Sequence, residues 1–496
     1  MRLRTLFTLL ALAPLLPACG GGSAAGGGTA AAGVSVLPAT SDFGGTVSDT
    51  SGAPVAGVTV TAYLTNDHTG HTAVTDAAGH YRIAGLLAVG QAGDYELWAD
   101  KPGLAFLGSI ASGAGRVLRS DHNALYKNVI DIPARNALTV TDANFTALHA
   151  GERVTRLPRT GQTFSFLPGD DGSSAQGVIW PALRYTDNQD GTVTDTLTGL
   201  VWLANGSCVP ASNWTDALDA AAQLAAGRCG LHDGSTAGQW RMPNSAELES
   251  LVDASAANPA LTPGNPFVAI SGTYWTSTTY RGLTTQAWVI RLTDGRWIND
   301  SSGNVKTTSL NGLLAVRSAA AAGRVALPAT GQFIVYASHD DGGVGAGLAL
   351  PYPRFIDKHD GTVSDTLTGL TWLKRADCIH QNWNGALGAI AALAAGQCGL
   401  GDGSTAGQWR MPNRAEMLSL GDRAETNMAL RFNTVFRKAD GSIDQDSVFS
   451  AFNELEYFWT ATTDSADPSR AWTVFSCDYG VYDIDKTALG YTLAVR

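Results

Sequence analysis

The chain has few charged residues, and positive ones are the scarcer kind. It contains 33 Lys and Arg against 44 Asp and Glu, for a net charge of -11, and charged residues make up 16% of its 496 positions. Nucleic-acid binding depends on neutralising phosphates with Lys and Arg, so the composition disfavours a nucleic-acid partner. It also disfavours sulfated polysaccharides and anionic lipid surfaces as partners held by charge.

Motifs for metal binding and for common catalytic chemistries are missing as well. None of the six cysteines forms a CxxC pair, and no HExxH or clustered Cys/His spacing is present, so a zinc site has no support. The chain lacks a GxSxG nucleophile elbow and a phosphate-binding loop. We therefore predict no catalytic residue, no metal site and no cofactor, and we do not expect an enzyme.

One acidic turn leaves calcium open. Asp187, Asn188 and Asp190 offer oxygen atoms that calcium could bind. The second copy of the turn has Lys358 and His359 in place of Asn188 and Gln189. A plain hairpin is therefore the favoured interpretation.

The apolar run near the start is too short to span a bilayer, which takes about 20 residues. It extends from Leu6 to Leu16 after Arg2 and Arg4, which is typical of a secretory signal. The next residues, Leu16-Pro17-Ala18-Cys19, resemble a bacterial lipobox. That resemblance implies a lipoprotein signal peptide over 1–19 and acylation of Cys19; an ordinary signal peptide with an incidental cysteine is the alternative.

The residues after the cysteine indicate where the chain is held. Gly20 is not the Asp that, in the lipobox resemblance, would retain a lipoprotein at the inner membrane. We therefore expect an outer-membrane lipoprotein of a Gram-negative cell envelope. Whether it faces the periplasm or the cell surface is open. Residues 20–41 are rich in Gly, Ala and Ser, which predicts a flexible linker.

Internal repetition is the strongest signal in the chain. Residues 190–200 return with one change at 360–370, and residues 233–244 return unchanged at 402–413. Repeats of this length predict tandem domains, which we place at 151–319 and 320–496.

Four cysteines occupy matching places in the two copies. In an oxidising compartment we expect one local disulfide between Cys208 and Cys229 and another between Cys378 and Cys398. Cys477 is left over, and its role is open.

Local signals within a copy predict an α+β fold with two early helices and a mostly antiparallel sheet. Asp190-Gly191 predicts a hairpin turn, because glycine accepts a positive φ. Asn213 is placed to begin one helix, and Asn244 with Glu247 has the spacing of a capping box at the start of another.

The segment before the repeats has short strand-like runs separated by turn residues, which predicts an all-β sandwich over 42–135. Its stretches at 45–49, 54–60 and 75–81 resemble the carboxypeptidase regulatory-like domain. The resemblance implies a prealbumin-like fold and an accessory role.

The repeats themselves resemble the Lcl C-terminal domain. Arg241-Met242-Pro243-Asn244 with Glu247, Tyr274-Trp275-Thr276-Ser277 and Ala315-Val316-Arg317 carry the likeness in the first copy, and the second copy has equivalents. The resemblance implies two C-type-lectin-like domains, distantly similar to formylglycine-generating enzymes. In the founding member, this domain is the C-terminal domain of a collagen-like adhesin that binds host polysaccharides.

Aromatic residues late in each copy are the candidate binding chemistry, because sugar rings stack on exposed aromatic side chains. Recurring tryptophans at strand positions are expected in the core: Trp275, Trp288, Trp459 and Trp472. The ligand-binding candidates lie in the divergent loops: Trp297, Asn299, Asp300, Tyr479 and Tyr482.

These observations predict a lipid-anchored cell-envelope binding protein or adhesin that recognises an extracellular glycan or protein through tandem domains. One alternative is a formylglycine-generating-type enzyme or its accessory subunit. The other is a structural envelope assembly protein. The identity of the ligand and the oligomeric state are open.

Overall fold

The computed structural model describes most of the chain after the predicted linker. The described residues are 40–496 except 65–69, 88–94, 111–115, 119–128, 133–138, 141–142, 299–303, 319–321, 333, 352, 422, 424–435, 438–442, 445–448, 451–455 and 477–478. The predicted signal peptide, Cys19 and Cys477 lie outside this set. Within it, no helix has the length and hydrophobicity needed to cross a membrane.

The first domain is a sandwich of two β-sheets, as predicted. One sheet has the order β4-β1-β10-β6, with β9 also beside β1, and the other has the order β3-β2-β5-β8-β7. The strands are β1 Thr40–Asp49, β2 Thr59–Leu64, β3 Gly70–Val74, β4 His80–Leu87, β5 Tyr95–Asp100, β6 Leu104–Ile110, β7 Arg116–Leu118, β8 Val129–Ile132, β9 Thr139–Val140 and β10 Ala143–His149.

Strand β10 lies beyond residue 135 and occupies the middle of its sheet. It pairs in parallel with β1 and antiparallel with β6. A Cβ atom on Gly45 would lie 1.9 Å from the carbonyl oxygen of Ala143, so this close approach of β1 requires glycine. The Tyr81 hydroxyl donates to the same carbonyl oxygen at 2.6 Å, which fixes β10 against β4.

The first copy has the predicted α+β character. Its main sheets have the orders β11-β12-β13-β17 and β14-β15-β16, and the pairs within them are antiparallel. Its elements are α1 Asp171–Ser174, β11 Tyr185–Asp187, β12 Thr192–Asp195, β13 Leu200–Leu203, α2 Trp214–Ala222, α3 Ser245–Glu249, β14 Thr273–Thr279, β15 Ala287–Arg291, β16 Arg296–Ile298 and β17 Val316–Ser318.

The second copy repeats this order with additional short strands. Its sheets are β18-β19-β20, β21-β27-β24-β25-β26 and β22-β23. Its elements are α4 Asp341–Val344, β18 Phe355–Asp357, β19 Thr362–Asp365, β20 Thr371–Leu373, β21 His380–Gln381, α5 Trp383–Ala391, α6 Arg414–Ser419, β22 Phe436–Arg437, β23 Ile443–Asp444, β24 Tyr457–Thr463, β25 Arg470–Phe475, β26 Val481–Asp485 and β27 Gly490–Tyr491.

The predicted helix starts are confirmed. The Asn213 side chain accepts from the Asp216 amide at the start of α2. At α3, Asn244 accepts from the Glu247 amide while Glu247 accepts from the Asn244 amide, which is the reciprocal capping box. Helix α6 begins in the same way at Asn413.

Both predicted disulfides are present. Cys208 is bonded to Cys229, and Cys378 is bonded to Cys398. Each links the loop before a long helix, α2 or α5, to the turn that follows it. In the chain-entropy model, closing a loop of this size contributes about 3 kcal/mol.

The acidic turn forms the predicted hairpin between β11 and β12. Asp187 accepts from the Gln189 amide, and Asp190 accepts from the Thr192 amide and hydroxyl. Gly191 has a φ of +86°, which glycine adopts readily. These oxygens therefore hold the turn together.

The residues that precede β11 contact the second copy as well as their own copy. We call residues 155–180 leading segment 1 and residues 184–318 body 1; residues 325–350 are leading segment 2 and residues 354–496 are body 2. Leading segment 1 docks on body 2, and leading segment 2 docks on body 1. Each copy therefore completes the other.

The docking contacts occur twice, at equivalent positions. The Asp171 carboxylate of leading segment 1 accepts from the Thr462 hydroxyl of body 2 at 2.7 Å and from Thr160 at 2.6 Å. The Asp341 carboxylate of leading segment 2 accepts from the Thr278 hydroxyl of body 1 at 2.7 Å and from Thr330. Neutral hydroxyls thus solvate both buried carboxylates.

Glutamine and asparagine side chains also form hydrogen bonds between a leading segment and the opposite body. Gln162 accepts from the Thr463 amide, and Gln332 accepts from the Thr279 amide. The Asn413 side chain donates to a carbonyl of leading segment 1. The Asn244 side chain likewise donates to the Ala346 carbonyl of leading segment 2, so the capping residues of α3 and α6 both contact the exchanged segments.

One lysine in each body lies against the exchanged segment. The Lys306 ammonium lies 4.0 Å from the Trp214 ring centroid and 4.8 Å from that of Tyr336 in leading segment 2. Lys486 lies equivalently at 3.9 Å from Trp383 and 4.9 Å from Phe166. Burial lowers the pKa of each lysine to about 8.

Replacing Asp171 with Asn tests the docking carboxylate. Burial raises the pKa of Asp171 to about 6. Between about pH 4 and pH 6 the folded state keeps a proton that the unfolded state has lost, so the free energy of unfolding falls as pH rises, by up to about 3 kcal/mol. Asn cannot titrate, so Asp171→Asn should remove that fall.

Urea denaturation at pH 4, 5, 6 and 7 measures this effect. Asp216→Asn, which removes an exposed carboxylate, is the control and should retain the wild-type pH dependence. Parallel curves for wild type and Asp171→Asn would contradict the assignment.

Candidate functional site

Two of the predicted ligand-binding aromatics are buried, which corrects the expectation that their rings lie in exposed loops. Trp297 is 2% exposed and donates from its indole nitrogen to Glu249 at 2.7 Å. Tyr479 is fully buried, and its hydroxyl donates to the Met417 carbonyl at 2.6 Å. Neither ring offers a free face to a sugar.

The other predicted loop residues divide into two groups. Tyr482 is half-buried and contacts the rings of Tyr457 and Phe475 edge-on. Asn299 and Asp300 lie outside the described residues. The expectation that the recurring tryptophans are core is confirmed for Trp275, Trp288, Trp459 and Trp472.

A buried arginine explains the position of the two aromatics. The Arg423 guanidinium lies 4.4 Å from the Trp297 ring centroid and 4.3 Å from that of Tyr479. Its backbone amide donates to the Thr330 carbonyl, which places it beside leading segment 2. Trp297 of the first copy and Tyr479 of the second therefore both make a cation–π contact with the Arg423 guanidinium where the copies meet.

A cleft lies where the copies meet. It has a volume of about 110 Å³ and is formed by equivalent stretches of both copies, 157–160 with 327–330 and 245–254 with 414–423. Its apolar wall consists largely of these side chains: Leu157, Pro158, Leu327, Pro328, Leu350 and Leu418. Because the leading segments and helices α3 and α6 build it jointly, neither copy alone forms this cleft.

The two helices that face the cleft differ at equivalent positions. The position of Ser245 in α3 is occupied by Arg414 in α6, and the position of Glu249 is occupied by Leu418. This divergence begins directly after the twelve-residue stretch that is identical in both copies. The cleft consequently has one acidic and one basic wall.

Arg414 and Glu249 form an ion pair from one copy to the other. The Arg414 Nε donates to Glu249 Oε1 at 2.8 Å and its Nη2 donates to Oε2 at 2.9 Å. The same Nη2 also donates to the Gly295 carbonyl. The Arg414 side chain is 2% exposed and its guanidinium lies 4.4 Å from the Trp472 ring centroid.

A second kind of arginine fixes the ends of the helices. Arg354 pairs with Asp365 and donates to the Ser419 carbonyl at the end of α6. Arg184 pairs with Asp195 in the same way and donates to Ser250. Both pairs are buried, so their role is to orient the helices that line the cleft.

Guanidinium groups outnumber carboxylates among the residues that line the cleft. Arg159, Arg354, Arg414 and Arg423 line it together with one carboxylate, Glu249. Asp365 compensates Arg354 from outside the lining, and Glu249 compensates Arg414.

Among the described residues, His, Cys, Asp and Glu side chains form no group of three or more that could hold a metal ion.

The sequence showed that positions 245 and 414 differ, but it carried no sign that they face one cleft. Arg414, Glu249 and Arg423 were therefore missed.

Comparison with known families agrees with this architecture. The model of the Lcl C-terminal domain matches residues 191–313 and 361–496, which is more than half of the chain. The chain belongs to the Lcl C-terminal domain family. The carboxypeptidase regulatory-like domain matches residues 43–108, within the sandwich.

No curated protein matches the chain. The two families together indicate a surface or binding protein. Both leading segments lie outside the ranges that the Lcl C-terminal domain model matches.

Replacing Trp297 with Ala tests its place in the core. We expect Trp297→Ala to lower the free energy of unfolding by about 3–5 kcal/mol, because it leaves a cavity beside Arg423. Tyr482→Ala, at a half-buried ring, is the control and should cost about 1 kcal/mol. Chemical denaturation measures both. An unchanged stability of Trp297→Ala would show that the ring is not packed as described.

Proposed function

We propose that the protein is a lipid-anchored cell-envelope binding protein that recognises an extracellular glycan or protein and does not catalyse a reaction. The observation that carries this proposal is the cleft that the two Lcl C-terminal domains form jointly. Clefts with apolar walls and a few placed polar groups are typical binding sites. The binding unit is therefore the pair of copies.

The state of the charged groups supports binding rather than catalysis. A general acid or base must exchange a proton with its substrate. Glu249 instead accepts from two nitrogens of Arg414 and from the Trp297 indole. Glu247 and Glu416 serve their capping boxes and pair with Arg241 and Arg410. These carboxylates have structural partners.

The disulfides support a location outside the cytoplasm. Two disulfides within a chain are typical of proteins that fold in an oxidising compartment. The signal-like start and the lipobox-like residues before Cys19 agree with export to the envelope. In the chain, the linker and the sandwich lie between Cys19 and the paired copies.

Metabolic labelling tests the anchor. Cells grown with radioactive palmitate should label the wild-type protein and should not label Cys19→Ala, because acylation requires the thiol. Cys477→Ala is the matched control and should label like the wild type. Equal labelling of wild type and Cys19→Ala would contradict the anchor at this residue.

A glycan and protein array tests binding and its location. The full chain should bind at least one ligand, and Leu327→Trp should lose that binding because the larger side chain fills the cleft. Leu310→Trp, at a leucine that is 67% exposed and does not line the cleft, is the control and should bind normally. Circular dichroism checks that both variants fold.

The possible outcomes separate two statements. If the full chain binds nothing on a broad array, the proposed binding function is wrong. If it binds a ligand and Leu327→Trp binds equally well, the ligand is recognised elsewhere.

A further inference from the structure

We infer that the cleft between the copies binds a phenol, which is an uncharged aromatic ring with one hydrogen-bond donor. Glu249 accepts its hydroxyl, and Trp180 packs against its ring. This inference rests on the proposed function, because it names the ligand chemistry of the same cleft. The hydrogen bonds of Glu249, the exposure of Trp180 and the apolar walls carry it.

Glu249 is the carboxylate of the cleft, and its hydrogen bonds leave one acceptor position open. A carboxylate has about four lone-pair positions, two on each oxygen. Among the described residues, Oε1 accepts from Arg414 Nε, and Oε2 accepts from Arg414 Nη2 and from the Trp297 indole. One position on Oε1 therefore remains, and the Glu249 side chain keeps 17% exposure. A ligand in the cleft meets an acceptor here.

The arginines of the lining favour an uncharged ligand over an anion. Arg354, Arg414 and Arg423 are buried, and the first two are each paired with a carboxylate. Arg159 is half-buried, but an anion in the cleft also meets the carboxylate of Glu249. Like charges at short range repel, so a neutral donor matches Glu249 better.

Trp180 supplies the aromatic wall. Two tryptophans line the cleft among the described residues; Trp297 is 2% exposed, whereas Trp180 is half-buried. The Trp180 indole donates to the Arg159 carbonyl at 2.8 Å, and its ring centroid lies 4.2 Å from the Arg184 guanidinium. These contacts hold the ring in place beside the cleft. A second aromatic ring can pack on it edge-on or offset.

The size and walls of the cleft admit one ring. An apolar cavity of about 150 Å³ holds benzene, so an open cleft of about 110 Å³ takes a ring of that size and not a chain of rings. Its wall of leucine and proline side chains favours an apolar ring.

A sugar ring matches these walls poorly because it carries several hydroxyl groups. Four hydroxyls of the lining already donate to partners of their own: Thr160 to Asp171, Thr330 to Asp341, Ser250 to the Glu247 carbonyl and Ser419 to the Glu416 carbonyl. The hydroxyl of Ser245 is buried. Most hydroxyls of a bound sugar would lose water without gaining a partner, which is unfavourable. A phenol has one hydroxyl for the one open position on Glu249.

The difference between the copies predicts one site per chain. The position of Trp180 is occupied by Leu350 in the second copy, and the position of Glu249 is occupied by Leu418. Both leucines line the same cleft. The first copy therefore supplies the acceptor and the aromatic ring, and the second copy supplies apolar contacts.

Ligand-observed NMR titration of the full chain with p-cresol and toluene tests the inference. The two molecules differ only by the hydroxyl, and a hydrogen bond to a carboxylate is charge-assisted. p-Cresol should bind at least about tenfold more tightly than toluene, which corresponds to about 1.4 kcal/mol. Benzoate should bind more weakly than p-cresol. Equal affinities for p-cresol and toluene, or tighter binding of benzoate, would overturn the inference.

Two variants separate the acceptor from the aromatic wall. Glu249→Gln should weaken p-cresol at least about fivefold and leave toluene unchanged, because an amide oxygen is an uncharged acceptor. Trp180→Leu should weaken both ligands. Glu456→Gln, at a half-buried glutamate that does not line the cleft, is the matched control and should change neither affinity. An equal effect of Glu249→Gln on p-cresol and toluene would show that Glu249 only holds Arg414 in place.

If Glu249→Gln does not fold because the buried Arg414 loses its carboxylate, the combined variant Glu249→Gln with Arg414→Gln removes both charges and takes its place. The preference for p-cresol over toluene should be lost in this variant as well. A retained preference would contradict the role of Glu249 as acceptor.

Free phenols and tyrosine side chains share this chemistry, so peptides distinguish the source. A short peptide with a central Tyr and blocked ends should compete with p-cresol if the ligand is a protein, and the same peptide with Phe should compete more weakly. If p-cresol binds and the Tyr peptide does not compete, the ligand is a free phenol. Tighter binding of methyl glucoside than of p-cresol would contradict the choice of a phenol over a sugar. If none of these binds at millimolar concentration, the inference is wrong, whereas the array result for the proposed function stands independently.

Discussion

The arrangement of the paired copies depends on two buried carboxylates, one in each leading segment. Asp171 and Asp341 each accept hydrogen bonds from one threonine of their own segment and one of the opposite body. A buried carboxylate without such partners would be costly, so each segment requires a threonine of the opposite body in order to bury its carboxylate. This reciprocal requirement makes two repeats into one unit, and the cleft exists only within that unit.

The hydrophobic core follows from the same exchange. One buried cluster includes side chains of both copies, such as Trp288 and Leu251 from body 1 and Trp472 and Met417 from body 2. Separate clusters remain within each body around α2 and α5, where the disulfides lie. Each body thus has its own hydrophobic core around α2 or α5, and the two copies share a further core where they meet. The shared core supports a rigid cleft lined by elements of both copies.

Much of the local structure could be predicted because its causes are local. The hairpin at Asp190-Gly191, the cap at Asn213 and the capping box of Asn244 with Glu247 each involve residues only a few positions apart. The exchange could not be predicted, because Asp171 and Thr462 are 291 residues apart and the repeat supplies an equivalent threonine, Thr278, in the same copy. Identical local signals are compatible with docking on either body.

The error at the candidate site has the same origin. Trp297 and Tyr479 follow turn residues, and turns near the end of a domain normally lie at the surface. In this protein both rings contact Arg423 where the two copies meet. Duplicated domains that pack on each other need not keep the same residues at their junction. The change from Ser245 to Arg414 and from Glu249 to Leu418 leaves a carboxylate on α3 and a guanidinium on α6, an ion pair that neither helix could form with a second copy of itself.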